Sequence, residues 1–364
     1  MNSYPFLSPD FFAALEDSGS AVATTGWEPA HQVILSEGEE QAFMPLYLKA
    51  HSYGEYVFDW SWADAYHRNG LRYYPKLLSA VPFTPATGPR VRFTSTANRE
   101  KLAAELVDNA LALAAETGAS GWHLLFPDDE QLALLSDPRL LYRSGVQYHW
   151  FNRHYHSFDD FIARFNARKR KMVRRERRQV EEQRLIIERF SGNQITPALW
   201  QLFALFYQRT YLKRSGSQGY LTADFFARIG ASMAEQSLLV TARQGEQVVA
   251  AAFYLFDDET LFGRYWGCLR EFDFLHFELC YYQGIEFAIE RGLHKFDAGA
   301  QGEHKIVRGF EPVITHSLHW LAEPAFVRAV AHFLEEESVY IQHHVAQARA
   351  ALPYRQDANL DPPC

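Results

Sequence analysis

The sequence predicts an α/β protein built on mixed sheets, with the alternation of strand and helix run through twice. Three observations predict it. Strand-like and helix-like segments interleave along the whole chain, which excludes the all-α and all-β classes. The 364 residues suffice for two to three domains of roughly 100 to 200 residues each. With 48% hydrophobic and 22% charged residues, the composition is that of a compact globule rather than of a disordered chain, a collagen or a coiled coil.

In the first half, strand candidates at about 32–36, 41–50 and 54–59 precede a short helix at SWADAYHRNG. The strand LRYYPKLLSAV follows, then a helix over 98–117 and the strands GWHLLFP and LLYRSGVQYHWF. These elements define a first domain over 1–152. A second domain over 153–354 opens with a basic helix at 158–183, where Phe158, Phe161, Ile162, Phe165, Met172 and Val180 recur near helical spacing. Strand RLIIERF, a helix over 197–212 and the meander from Ser237 to Leu269 come next, its turns marked by Gln244-Gly245-Glu246 and Asp257-Asp258-Glu259. A helix from His276 to Arg291 ends at Gly292, a residue suited to a left-handed C-cap. Strands HKFDAG and PVITHSLHWL and a long helix from Pro324 to about Ala351 complete the domain, and 355–364 reads as a flexible tail.

Charge and cysteine usage narrow the function classes. The net charge is −8, so attraction to nucleic acid or anionic lipid requires a local patch. One exists: RFNARKRKMVRRERR, residues 164–178, holds nine Arg/Lys against one Glu. Arg168, Lys171, Arg175 and Arg178 share one helical face, and like charges at that spacing are unfavourable unless an anion neutralises them. Arg168, Arg170, Lys171, Arg174 and Arg175 are therefore candidate phosphate ligands. The competing reading is a solvated face offset by Glu181 and Glu182. Three cysteines, Cys268, Cys280 and Cys364, show no metal-ligand spacing and no even framework, so neither a zinc site nor disulfides are expected. With an N-terminus that lacks a signal sequence and no apolar run of membrane-spanning length, the expected location is the cytoplasm, with at most peripheral membrane contact.

Helix, three-strand meander, helix, strand, irregular segment and strand is the element order of GNAT acyltransferases, and the first half reads as a degenerate copy. The stretch LFGRYWGCLREFDFLHFELCYYQGIEFAIERGLHKFDAGAQGEHKIVRGFEP resembles the second GNAT-like domain of Fem aminoacyl transferases, with Tyr265, Gly267, Gly292, Phe296, Asp297, Gly299, Arg308 and Phe310 at the pattern positions. Together with WADAYHRNGLRYYPKLLSAVPFTPATGPR, the chain resembles the bacterial Fem-like "peptidoglycan biosynthesis/recognition" family. That resemblance implies tandem GNAT-like domains, the second better defined. It also implies transfer of an acyl or aminoacyl group to an amine, a peptidoglycan-related role and no metal. No cofactor is expected to bind tightly: acyl-CoA or aminoacyl-tRNA would serve as donor co-substrate. The basic residue of the pattern is either Lys305 or Arg308.

Acyl transfer to an amine needs a proton acceptor, a cation or N–H beside the developing oxyanion, and walls that exclude water. Asp297, Glu303, His304 and Lys305, clustered after the meander, are the catalytic candidates. Glu303 or His304 would take the amine proton, and Lys305 or Arg308 would hold an oxyanion or phosphate. Tyr254, Tyr265, Trp266 and His276 are candidate pocket walls, though strand aromatics serve more often in cores. Ordinary acetyl-CoA enzymes cradle the pyrophosphate on a glycine loop after the fourth strand. Here no glycine falls between Gly267 and Gly284, and Phe272, Phe274 and Phe277 stand there instead, which favours a larger donor. In the first half, Tyr74 and Lys76 flank Pro75, a residue expected at a strand edge or bulge, and with Arg90 they are candidates for holding an anionic acceptor, against the plainer reading of surface charge. Two other functions remain open: acetylation of the general CoA-dependent type, and non-catalytic binding of nucleic acid or a cell-wall precursor.

Overall fold

The computed structural model describes residues 4–94, 98–300 and 302–355. The described residues form fourteen strands: β1 (Trp27–Pro29), β2 (Gln32–Ser36), β3 (Glu39–Met44), β4 (Tyr47–Lys49), β5 (Lys76–Ser79), β6 (Arg92–Phe93), β7 (Gly121–Leu125), β8 (Leu141–Phe151), β9 (Ile186–Ser191), β10 (Ser237–Gln244), β11 (Gln247–Phe256), β12 (Thr260–Cys268), β13 (Lys295–Asp297) and β14 (Glu311–Leu321). The chain divides into two units, each discontinuous in sequence. One contains Gly19–Val146 and Ile314–Val345; the other contains Met1–Ser18, Gln147–Val313 and Ala346–Cys364. The chain passes from one unit to the other after Val146. What a linear reading does not see is that the first 18 residues and the segment 314–345 each join the unit distant from them in sequence. The tail beyond Arg355 lies outside the described residues.

In the unit of Gly19–Val146 the strand order is β1-β4-β5-β7-β14, with β5 and β7 parallel, and β2-β3-β6 form a small second sheet. The helix Arg99–Thr117 buries Ala103, Leu106, Val107, Ala110 and Ala114, a stripe at steps of three and four, against Leu77, Trp122 and Leu124 of the sheet. The expected strand at 54–59 is instead irregular chain, because Ser52, Glu55 and Asp59 are drawn inward to lysines rather than into a ladder. Pro75 precedes β5 rather than interrupting it, and β5 is an inner strand between β4 and β7, so the edge-strand expectation is corrected.

In the other unit the order is β8-β13-β12-β11-β10-β9. β10, β11 and β12 form the expected antiparallel meander, and β13 then pairs parallel to β12. The helix Pro197–Ser215 opens at Thr196, whose hydroxyl accepts from Leu199 N, and it buries Trp200, Phe203, Phe206 and Tyr207 against the meander. Gly267 permits this approach: a Cβ there would collide with the backbone carbonyl of Phe206. The basic segment is two helices rather than one. Ser157 caps Phe158–Ala163 and Asn166 caps Ala167–Glu182, each side chain accepting a backbone N–H three residues on. Phe165, between them, is fully buried, while Met172 is only partly so.

Candidate functional site

The site is built where β12 ends. After Cys268 the chain runs irregularly to Phe274 (φ +60°) and enters a helix spanning Leu275–Phe277, a π-helical turn at Glu278–Tyr282 and the α-helix Gln283–Arg291. A π turn inserts one residue into the helix and re-aims the side chains on it. Buried Glu278 anchors this turn: Arg177 of the basic helix grips it through Nε (3.1 Å) and Nη2 (2.9 Å), and Gln283 donates to it at 2.8 Å. Burial raises the Glu278 carboxyl above its ordinary pKa even so, with Arg177 opposing the shift.

Between this segment and the last turns of the helix Pro197–Ser215 lies a cleft of about 420 Å³. Arg209, Lys213, Arg214 and Arg270 stand on its rim, and Trp266, His276, Phe274 and Phe277 wall it. Glu271 is the acidic residue of the lining, and it is taken by Lys213. Arg209 and Arg214 form no ion pair with any described residue, so the cleft carries a positive field toward an incoming anion. The His276 ring meets Trp266 edge-on at 5.4 Å. Burial first, then the charges of His304, Arg214, Lys305 and Arg308, push its pKa down to about 3, so this wall is a neutral imidazole at pH 7.

Behind the cleft sits a buried charge network. Asp297, at the end of β13, accepts from Arg264 Nη2 at 2.8 Å and from Gly299 N at 2.8 Å, with His149 Nε2 at 3.7 Å. Although burial alone would raise its pKa, Arg264, His149, the Gly299 N–H and Lys305 hold it at about 2. Lys305 is 1% exposed, donates to Gly299 O at 2.5 Å, and is lowered to about 8 by burial. Arg308 is also engaged: it forks onto Glu176 of the basic helix (Nη2–Oε1 2.7 Å, Nε–Oε2 3.1 Å), bonds the Tyr282 hydroxyl at 3.0 Å and donates Nη1 to His304 O at 2.7 Å. Its guanidinium stacks 3.5 Å from the centre of the Phe277 ring.

His304 is the exposed member of this group. Its Nε2 lies 2.8 Å from the Tyr281 hydroxyl, its ring is 5.4 Å from Phe277 and 6.3 Å from His276, and burial with Arg308 and Lys305 lowers its pKa. Gly302 (φ +114°) lets the imidazole fold back, since a Cβ there would meet the ring at 2.5 Å. A neutral imidazole reachable from solvent, beside a cleft lined with cations and aromatics, can accept the proton of an attacking amine.

The structure thus brings Asp297, His304, Lys305, Arg308, His276 and Trp266 into one neighbourhood, but in different positions. Asp297 and Lys305 are interior, Glu303 is exposed, and Arg308 is bonded to protein groups. Tyr254 and Tyr265 are buried in the sheet, Tyr254 donating to Leu279 O and Tyr265 packing on Tyr207 and Phe253. On the basic helix Arg168, Lys171, Arg174 and Arg175 are exposed, whereas Arg170 turns back to Phe165 O at 3.2 Å. Tyr74 and Lys76 belong to the other unit, where Lys76 is wholly buried against Glu55 (2.7 Å), Asp59 and Ser52 (2.8 Å), and Tyr74 bonds Ser52 at 2.9 Å. Arg90 is likewise buried, donating to the Leu125 and Pro89 carbonyls. Site residues that the sequence reading did not single out include Arg209, Arg270, Arg264, Tyr281 and Glu176. The i, i+4 cations Arg209 and Lys213 were a visible signal; the inward turn of Glu176 was not.

The profile of the FemAB-like family, described as peptidoglycan biosynthesis/recognition, matches residues 1–356. The chain belongs to that family. A search of curated proteins finds no match. Among solved structures, this FemAB-like chain resembles FemX, with 12% identity, a TM-score of 0.52, and coverage of 91% of this chain and 95% of that one. L-PGS from Bacillus licheniformis is similar at 12% identity and a TM-score of 0.53, over 89% of this chain and 95% of that one. The C-terminal domain of a putative lysylphosphatidylglycerol synthetase from Agrobacterium fabrum gives 12%, 0.51, 89% and 96%. At such identities the likeness shows a shared fold. Among the described residues, no helix is long and apolar enough to cross a membrane, and no group of three or more His, Cys, Asp or Glu is arranged to hold a metal ion.

Proposed function

We propose that this FemAB-like protein transfers an aminoacyl group from a phosphate-bearing donor to an amine, with the acceptor amine belonging to a peptidoglycan precursor. The observation that carries the reading is the cationic, aromatic-walled cleft, with a solvent-reachable neutral His304 close to its His276 and Phe277 walls. In the proposed reaction the donor's phosphates lie against Arg209, Arg214 and Arg270. The amine nitrogen attacks the ester carbonyl, the C–N bond forms, and the C–O bond to the donor breaks. His304 takes the amine proton and the departing hydroxyl regains one. Phe272 and Phe274 occupy the loop where a glycine cradle would admit a CoA pyrophosphate, which supports an aminoacyl ester over an acyl thioester. Membership of the FemAB-like family and the folds of FemX and L-PGS support the same choice.

The test is transfer of label from aminoacyl-tRNA, and separately from acyl-CoA, to nucleotide-linked peptide amines by the purified full-length chain. Aminoacyl transfer is expected, and Arg214→Ala should raise the donor KM about tenfold or more, since a charge-assisted phosphate contact contributes roughly 1.5–3 kcal/mol. Transfer from acyl-CoA alone would overturn the choice of donor.

A further inference from the structure

We propose that the outer face of the helix Pro324–Ala350 is an interface between two copies of this chain, packed antiparallel about a two-fold axis near Val339. The inference is independent of the transferase reading, since this face carries none of the groups assigned to transfer.

The rotation of the helix is fixed from within the unit that contains Gly19–Val146. Val330 and Leu334 pack in one cluster with Trp62 and Tyr66, and the Tyr66 ring lies 4.0 Å from that of Phe326. Glu337 continues this inward stripe and is held by the fork of Arg143, Nε to Oε2 and Nη2 to Oε1 both at 2.7 Å. One face is therefore engaged by the protein itself. Beside it, at alternating steps of four and three residues, runs a row of Ala329, Phe333, Glu336, Tyr340 and His343, every one exposed. Phe333 is 39% and Tyr340 67% exposed, and Val339, at 55%, lies along the edge of the row. Single exposed apolar side chains are ordinary on a surface. Their return at heptad spacing, on a helix about 40 Å long, is the pattern of a helix that packs on another.

The row is complementary to itself, which identifies the second helix. A two-fold axis sets the same face of both copies together. A parallel pair, in register by symmetry, would oppose Glu336 to its own copy, carboxylate against carboxylate. In the antiparallel pair one registration matches Phe333, Glu336, Tyr340 and His343 entirely with one another: Glu336 faces Tyr340 of the second copy, and Phe333 faces His343 of the second copy. There a phenol O–H donates to a carboxylate and an imidazole lies against a phenyl ring, each contact made twice. Val339 comes beside its own copy near the axis. Within its own chain Glu336 meets His332 at 3.7 Å, with both side chains largely exposed, and the charge of Glu337 at the flank is already met by Arg143. Three consecutive acids, Glu335, Glu336 and Glu337, make the face unsuited to an anionic membrane, so a protein surface is the occupant. A single helix pair of this length reaches at most the lower end of the roughly 1,200–2,000 Å² that stable interfaces bury, so a dissociation constant on the order of 10–100 µM is expected.

The experiment is sedimentation velocity of the full-length protein from about 1 to 300 µM, a range across which wild type should pass from monomer to dimer. Tyr340→Glu sets carboxylate against carboxylate twice and should raise the dissociation constant about tenfold or more. Glu336→Lys removes the acceptor and should also weaken the dimer. The two substitutions together place opposite charges across the axis and should return the constant to within about threefold of wild type, which separates lost contacts from lost folding. A wild type that stays monomeric throughout, a dimer indifferent to Tyr340→Glu, or a double variant no better than Tyr340→Glu alone would overturn the proposal. Cosedimentation of wild type with phosphatidylglycerol vesicles that Tyr340→Glu abolishes would assign the face to a membrane and overturn it as well.

Discussion

Asp297→Asn tests whether the charge network behind the cleft is held by electrostatics rather than by shape. The substitution keeps size and one hydrogen-bond acceptor but removes the negative charge that faces Arg264, whose side chain is 2% exposed. An uncompensated buried guanidinium costs about 3–5 kcal/mol when its partner is removed. The titration of Asp297 offers a second figure. A fall from 3.8 to about 2 amounts to roughly 2.5 kcal/mol of preference for the ionised carboxylate, at 1.36 kcal/mol per unit. The expected loss at pH 7 is therefore about 2.5–5 kcal/mol. Because the folded carboxyl has the lower pKa, its contribution is complete above about pH 4 and disappears as pH falls toward 2. Urea unfolding at pH 7 and at stepwise lower pH, with hydrogen exchange at Lys295–Asp297 reporting on this unit, should show a gap between wild type and variant that closes across that window. Equal stability at pH 7, or a gap indifferent to pH, would refute the electrostatic account.

Gly267→Ala should destabilise the unit by about 1–3 kcal/mol or more, because the added Cβ meets the Phe206 carbonyl, and the cleft should distort with it; denaturation midpoints and donor binding check this together. Lys76→Met should cost about 3–5 kcal/mol, since Glu55 and Asp59 are left buried beside an apolar chain, and the loss should appear in thermal unfolding of the Gly19–Val146 unit. His304→Gln should lower kcat by about 10²–10⁴ and abolish the acidic limb of the rate profile. In wild type that limb should lie below the ordinary histidine range, since the folded imidazole stays neutral further into acid.

Much of the architecture was legible because it rests on local chemistry. The meander turns at Gln244-Gly245-Glu246 and Asp257-Asp258-Glu259 sit between alternating apolar runs, and Gly292 adopts the left-handed C-cap that its position implied. The clustering of Asp297, His304 and Lys305 followed from their nearness in sequence beyond one strand. Other features depended on partners far along the chain. The periodicity around Phe158 to Val180 reads as one helix, yet two polar caps divide it. Nothing local shows that Glu176, one acid among nine cations, turns inward to Arg308 132 residues away. Lys76 looks like a surface cation beside a proline until Glu55 and Asp59 enclose it.

The sequence by itself determined the class of fold, the elements of the meander, the family resemblance and the presence of a dense basic helix, because propensity, periodicity and charge density act over a few residues. Only the tertiary structure decided which cations are free to meet a ligand and which are spent inside the protein. Burial sets that division: a lysine or arginine out of water must be met by carboxylates, carbonyls or aromatic faces. At Lys76, Lys305, Arg264 and Arg308 such partners are supplied by the fold, whereas Arg168, Lys171, Arg175, Arg209 and Arg214 stay exposed with no ion-pair partner among the described residues.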